Sequence, residues 1–167
     1  LGFNFTLGSS DVGLTAEGPL GKKGTFIASA RRSYLQFLFQ AIGLPILPTY
    51  NDFQAKYKYK IDNKNEISYL MIGAYDTNVL NEFDEPDDNQ RYLLGFLPEQ
   101  TQWNYTNGIV YKHYSKNSFQ TLVVSRNMLS NRIFKYENND ENLPLKLEFN
   151  SQEIENKIRF ENNIDNK

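Results

Sequence analysis

The chain has 167 residues, 23% of them charged, and a net charge of -2; that suits one domain or a piece of a larger one, and no basic excess points to nucleic acid. Mean hydropathy is -0.60, and no apolar run approaches the ~20 residues of a spanning helix, which excludes a helical membrane protein but not a membrane barrel, whose alternating strands average to a polar score. Cysteine is absent and histidine occurs once, excluding disulfides, thiolate metal sites and a Cys nucleophile and leaving little for a zinc site or a catalytic triad.

The chain opens in mid-strand, with Phe3, Phe5 and Leu7 at odd positions. No charged stretch followed by an apolar run precedes them, so no signal peptide is visible and the chain is expected to be a fragment. The apolar phase then moves to even positions at Val12, Leu14 and Ala16, which a reversal at Gly8-Ser9-Ser10 explains. Further on, Phe53, Ala55, Tyr57, Tyr59 and Ile61 alternate with Gln54, Lys56, Lys58 and Lys60. Similar alternation recurs at Ile67 to Tyr75, at Trp103 to Tyr111 and at Ile154 to Ile164. Period two of this kind signals antiparallel strands with one apolar face. The expected strands are 1–7, 11–18, 24–34, 52–61, 66–76, 103–113, 118–128 and 153–164.

The connections alternate in length. Short polar turns fall at 18–24, 62–65 and 115–117, with a further one at Asp165-Asn166-Lys167, and their Gly, Asn, Asp and Lys content is hairpin chemistry. Long irregular segments fall near 35–51, 77–102 and 129–152. An up-and-down sheet is expected, with plain turns at one end and elaborate loops at the other. Several runs reach the 9–11 residues of a tilted transmembrane strand, and long loops on one side match outer-membrane barrels. In that register Lys56, Lys58 and Lys60 face the lumen, because each would cost roughly 2–4 kcal/mol at the lipid midplane. Tyr34, Tyr75, Trp103 and Tyr111 would then form interface girdles. The alternation alone fits equally a soluble eight-stranded barrel that binds an apolar ligand, with its apolar face inward.

Motifs for chemistry are few. Lys22-Lys23 within Gly18 to Gly24 fails the spacing of a phosphate-binding loop and reads as a turn. Asp84, Glu85, Asp87 and Asp88 match no calcium-loop spacing and read as a solvated loop, as do Asp140 and Glu141. Glu17, Glu155 and Glu161 read as wet-face polarity rather than an acid–base pair, and His113 as a solvated side chain beside a turn. No enzyme, metal or cofactor is expected. Arg31 and Arg32 point to opposite faces of one strand, so only one of them reaches the lumen; Arg31 is the candidate. The segment 35–48 is too apolar for a free loop. Its Phe37, Phe39, Ile42, Leu44 and Ile46 are expected to pack against the barrel mouth or a partner, since burial of such a side chain is worth on the order of 1.5–3 kcal/mol. Leu35 to Ile42 suits two helical turns, and Pro45 and Pro48 argue against a strand.

Ser9-Ser10-Asp11-Val12-Gly13-Leu14-Thr15-Ala16-Glu17-Gly18-Pro19-Leu20, the Lys/Gly turn, and Phe26-Ile27-Ala28-Ser29-Ala30-Arg31-Arg32-Ser33-Tyr34-Leu35 resemble the early barrel of TonB-dependent outer-membrane receptors of the SusC-like branch. The run from Asp52 to Asn65 also resembles a barrel hairpin of that family. The resemblance covers nearly the whole chain in pattern, and residues 9–35 and 52–76 in motif. It implies that residues 1–167 are one segment of an antiparallel up-and-down transmembrane β-barrel of about 22 strands. It further implies a Gram-negative outer membrane, active import of a bulky nutrient (oligosaccharide, peptide or chelate), a periplasmic TonB-type energiser and a surface lipoprotein lid. The family's plug and TonB box are not among these residues, so about the first third of a barrel is expected.

Overall fold

The computed structural model describes residues 1–164; the turn expected over 165–167 lies outside the described residues. Eight strands form a single antiparallel sheet in chain order: β1 Gly2–Leu7, β2 Asp11–Leu20, β3 Gly24–Ser33, β4 Ile46–Lys60, β5 Asn65–Leu80, β6 Glu99–Tyr114, β7 Ser118–Tyr136 and β8 Leu145–Ile164. Two helices, α1 Leu35–Ala41 and α2 Asp88–Phe96, and a 3-10 turn at Glu137–Asn139 occupy the connections. Each strand pairs with its neighbours in sequence, and the sheet is open, β1 pairing with β2 alone and β8 with β7 alone among the described residues. The self-closed eight-stranded barrel considered as an alternative is therefore not what these strands form.

The reversal at Gly8-Ser9-Ser10 is present, closed by Gly8 N–H donating to Asp11 O at 2.8 Å. The turns at 21–23, 61–64 and 115–117 lie at one end of the sheet, and the connections carrying α1, α2 and the 3-10 turn lie at the other. At the 61–64 turn, Asp62 Oδ1 accepts from the backbone N–H of Lys64 (2.7 Å) and of Asn65 (2.9 Å). These bonds fix the hairpin, since an Asp side chain mimics a turn carbonyl.

The strands outrun their expected limits at the loop end. β4 begins at Ile46, β5 runs to Leu80, β6 starts at Glu99, β7 runs to Tyr136 and β8 starts at Leu145. Segments expected to be irregular are paired ladder, with one register shift at Lys135/Tyr136. Pro48 sits inside β4 opposite Asn78, contrary to the expectation. Tyr50 N–H points toward β3, donating to Ser33 Oγ, so the donor that Pro48 lacks would point the same way. β3 has already ended there, and no ladder bond is lost.

Almost nothing is buried. Met128 is the one buried hydrophobic residue, and no large side chain is fully enclosed, among the described residues. The accessible surface is 11843 Å², where a compact monomer of this mass would expose about 8,500 Å². The excess of roughly 3,300 Å² is several times the ~800 Å² that one partner contributes to a standard interface.

Candidate functional site

Residues directly opposite in the ladder share a face, so the registers sort the sheet into two. On one face lie Phe3, Phe5 and Leu7 of β1, then Leu14 and Ala16, then Ala28 and Phe26. The row Tyr57, Tyr69, Ile109, Val124, Ile158 continues it across β4 to β8, as does Tyr59, Ile67, Tyr111, Leu122, Phe160. This apolar face is bare: Phe3 is 70% exposed, Phe5 68% and Ile158 77%. Tyr75 and Trp103 stand opposite each other at its loop end. Tyr111 stands at its turn end, where its hydroxyl donates to Asn65 Oδ1 at 2.5 Å. His113 Nδ1 lies 2.7 Å from the same oxygen, so the histidine is tied into the turn rather than solvated.

The opposite face is polar. Lys56, Lys58, Lys60 and Arg31 all belong to it, Arg31 by its register with Asp52. Arg32 is opposite Val12 and Asn51 and belongs to the apolar face. Arg31 Nε donates to Asp52 Oδ2 at 2.9 Å, with Asp11 at 3.9 Å. Lys58 pairs with Glu66 at 2.7 Å. Gln54, Thr15, Thr106, Asn127, Glu155 and Glu153 also lie on this face, interrupted by Ile27, Leu70 and Ile72.

Besides Arg32 and Asn51 at its loop end, one row breaks the middle of the apolar face. Asn107, Arg126 and Asn156 stand directly opposite one another on β6, β7 and β8. Arg126 Nε donates to Tyr105 Oη at 3.2 Å and Nη1 to Asn156 Oδ1 at 3.5 Å. No sequence pattern flagged this row, because each residue interrupts its own strand only once.

The helices sit over the loop end. Of the apolar candidates, Phe39, Leu44 and Ile46 are half-buried, whereas Phe37 and Ile42 are 63% and 62% exposed. α1 packs on β4, with Gln36 accepting from the Thr49 hydroxyl. α2 went unseen in the sequence, although Asp87 and Gln90 form a reciprocal capping box, Gln90 N–H to Asp87 Oδ1 at 2.7 Å and Asp87 N–H to Gln90 Oε1 at 3.0 Å. That Asp-x-x-Gln spacing was the available signal, and it gives Asp87 a capping role. Lys135 Nζ holds the other end of α2, donating to Leu94 O (2.8 Å), Leu97 O (3.0 Å) and Asn139 Oδ1 (2.6 Å). Burial lowers the Lys135 pKa, and burial followed by the nearby Glu141 raises that of Glu99. No three His, Cys, Asp or Glu residues converge in a metal-holding group among the described residues.

No protein family, no curated protein and no solved structure matches the chain. The class defined by fold and faces is thus an all-β, antiparallel up-and-down sheet of eight strands, open at both edges.

Proposed function

We propose that the chain is part of the barrel wall of a TonB-dependent, SusC-like importer in a Gram-negative outer membrane. Its apolar face meets lipid, its polar face lines a wet interior, and its loop end faces outside. The observation that carries this reading is a single-layer sheet, apolar on one bare face and polar on the other, with all three helical connections at one end. A soluble domain would fold a second layer over the apolar face; lipid makes that layer unnecessary. The dimensions agree. From Ile67 to Tyr75 the apolar rows of β5 rise about 27 Å along the strand, or roughly 20 Å in height at a ~40° tilt, against a lipid band of ≈ 25 Å. Both open edges would pair with further strands of the same barrel, whose closure leaves no edge.

In this role the chain performs no covalent chemistry. It forms part of a conduit through which a bulky nutrient passes, driven by a periplasmic energiser acting on other parts of the protein, with a surface lipoprotein lid over the loop end. The test is extraction of the full-length protein that carries this segment. It should stay with the outer-membrane fraction through high salt and carbonate and come into solution only with detergent. Full solubility without detergent contradicts the reading and favours a soluble binding module.

A further inference from the structure

Beneath α1, at the loop end of the polar face, lies an open pocket of about 330 Å³ whose walls include Phe39, Tyr50, Asp76, Asn78, Gln100 and Gln102. Phe39, expected from the sequence to be an apolar contact, borders this pocket beside polar side chains. The pocket is rich in acceptors and has no cation in its lining. Asn78 Oδ1 is buried without a hydrogen-bond partner among the described residues. Gln100 spends its amide N–H on Asn131 Oδ1 at 3.0 Å, which leaves its own carbonyl free to accept. Asp76 enters no ion pair among the described residues, and Arg31 on the same face is already engaged by Asp52 and Asp11. Asp76 takes a backbone hydrogen bond from Asn51 but has no counter-charge among the described residues, and the buried Asn78 acceptor at the wall of the same cavity is costly unless a donor arrives from outside. A cation supplies both a donor and a counter-charge, and two aromatic residues, Phe39 and Tyr50, border the same cavity. An anion would be repelled by Asp76.

Resting on the reading of the polar face as the wetted side of an importer, we propose that this pocket takes a primary ammonium or guanidinium group, such as a lysine or arginine side chain of a peptide. Asp76 supplies the counter-charge, while Asn78 and Gln100 accept the remaining N–H bonds. A neutral oligosaccharide would leave the Asp76 charge unanswered.

The experiment is calorimetric titration of the detergent-solubilised full-length protein with three probes: Gly-Lys-Gly blocked as its Nα-acetyl, C-terminal amide so that the lysine carries its one ammonium, the same peptide acetylated also on the lysine Nζ, and maltotriose. Gly-Lys-Gly is expected to bind, and Nζ acetylation and Asp76→Asn are each expected to weaken it at least tenfold. Gln102→Glu adds a carboxylate to the wall and should tighten binding severalfold, a gain that a folding defect would not mimic. No binding of Gly-Lys-Gly, equal binding of the Nζ-acetylated peptide, preference for maltotriose, or no response to Asp76→Asn overturns the proposal. Failure of the membrane reading shows separately, in the extraction behaviour, whichever probe binds.

Discussion

Arg126 stands in the middle of the apolar run of β7, between Val124 and Met128 on the same face, with only neutral partners in Tyr105 and Asn156. Facing lipid, an arginine near the midplane costs roughly 2–4 kcal/mol, and its two hydrogen bonds return about 0.5–1.5 kcal/mol each. Taking the middle of each range, Arg126→Leu is therefore expected to stabilise the assembled barrel by about 1 kcal/mol, read as a higher urea midpoint in lipid vesicles. A lower midpoint would mean that a polar surface, rather than lipid, covers this row. Gly73 makes the opposite kind of demand. A Cβ built there would collide with the Phe53 ring, which covers the glycine opposite it. Gly73→Val must displace that ring and is expected to cost about 1–3 kcal/mol, with a smaller loss when Phe53→Ala is made in the same chain. At the 61–64 turn, hydrogen bonds from the Asn65 side chain and then the Lys64 backbone hold the Asp62 carboxyl below the usual aspartate range. A depressed pKa contributes stability above the ordinary value, lost as pH falls through the lowered one. The Lys64 and Asn65 amide resonances should thus titrate together with a midpoint below that of a free aspartate, and Asp62→Asn should abolish the transition; a midpoint at the free value contradicts the turn geometry.

Among the elements, α2 depends on both its ends. Asp87→Ala removes the acceptor for Gln90 N–H and is expected to cost the helix about 1 kcal/mol. Lys135→Met leaves the carbonyls of Leu94 and Leu97 without their donor. Both variants should speed proteolysis within 83–98 and leave the ladder between β6 and β7 intact; unchanged cleavage would mean that α2 is held by something else. The element scale is also where the sequence was most and least legible. Alternation placed Phe53 to Lys60 and Trp103 to Tyr111 on strands because one side of each is apolar and the other polar. It lost β7 past Met128 and β8 before Ile154, where residues such as Asn131, Arg132, Asn150 and Ser151 make both faces polar. A ladder held by backbone hydrogen bonds does not need hydrophobic period two to continue. The pocket was illegible for another reason. Phe39, Asp76, Asn78 and Gln100 come from three separate connections and strands, and only the register brings them together.

At the scale of the whole molecule, one sheet presents two surfaces of opposite character and almost no interior. Hydrophobic burial, the dominant favourable term in most folds, is largely missing within the chain and must come from what covers the apolar face. The most direct measurement uses the absence of cysteine from these 167 residues, with any cysteine elsewhere in the full-length protein replaced by serine. Single cysteines are introduced as Tyr57→Cys and Lys58→Cys in the full-length protein in outer-membrane vesicles. Each is then exposed to a water-soluble, membrane-impermeant maleimide small enough to enter a barrel. These adjacent positions point to opposite faces of β4. With the polar face turned to the wet interior, strong labelling is expected at 58 and protection at 57; labelling at 57 with protection at 58 would contradict that orientation.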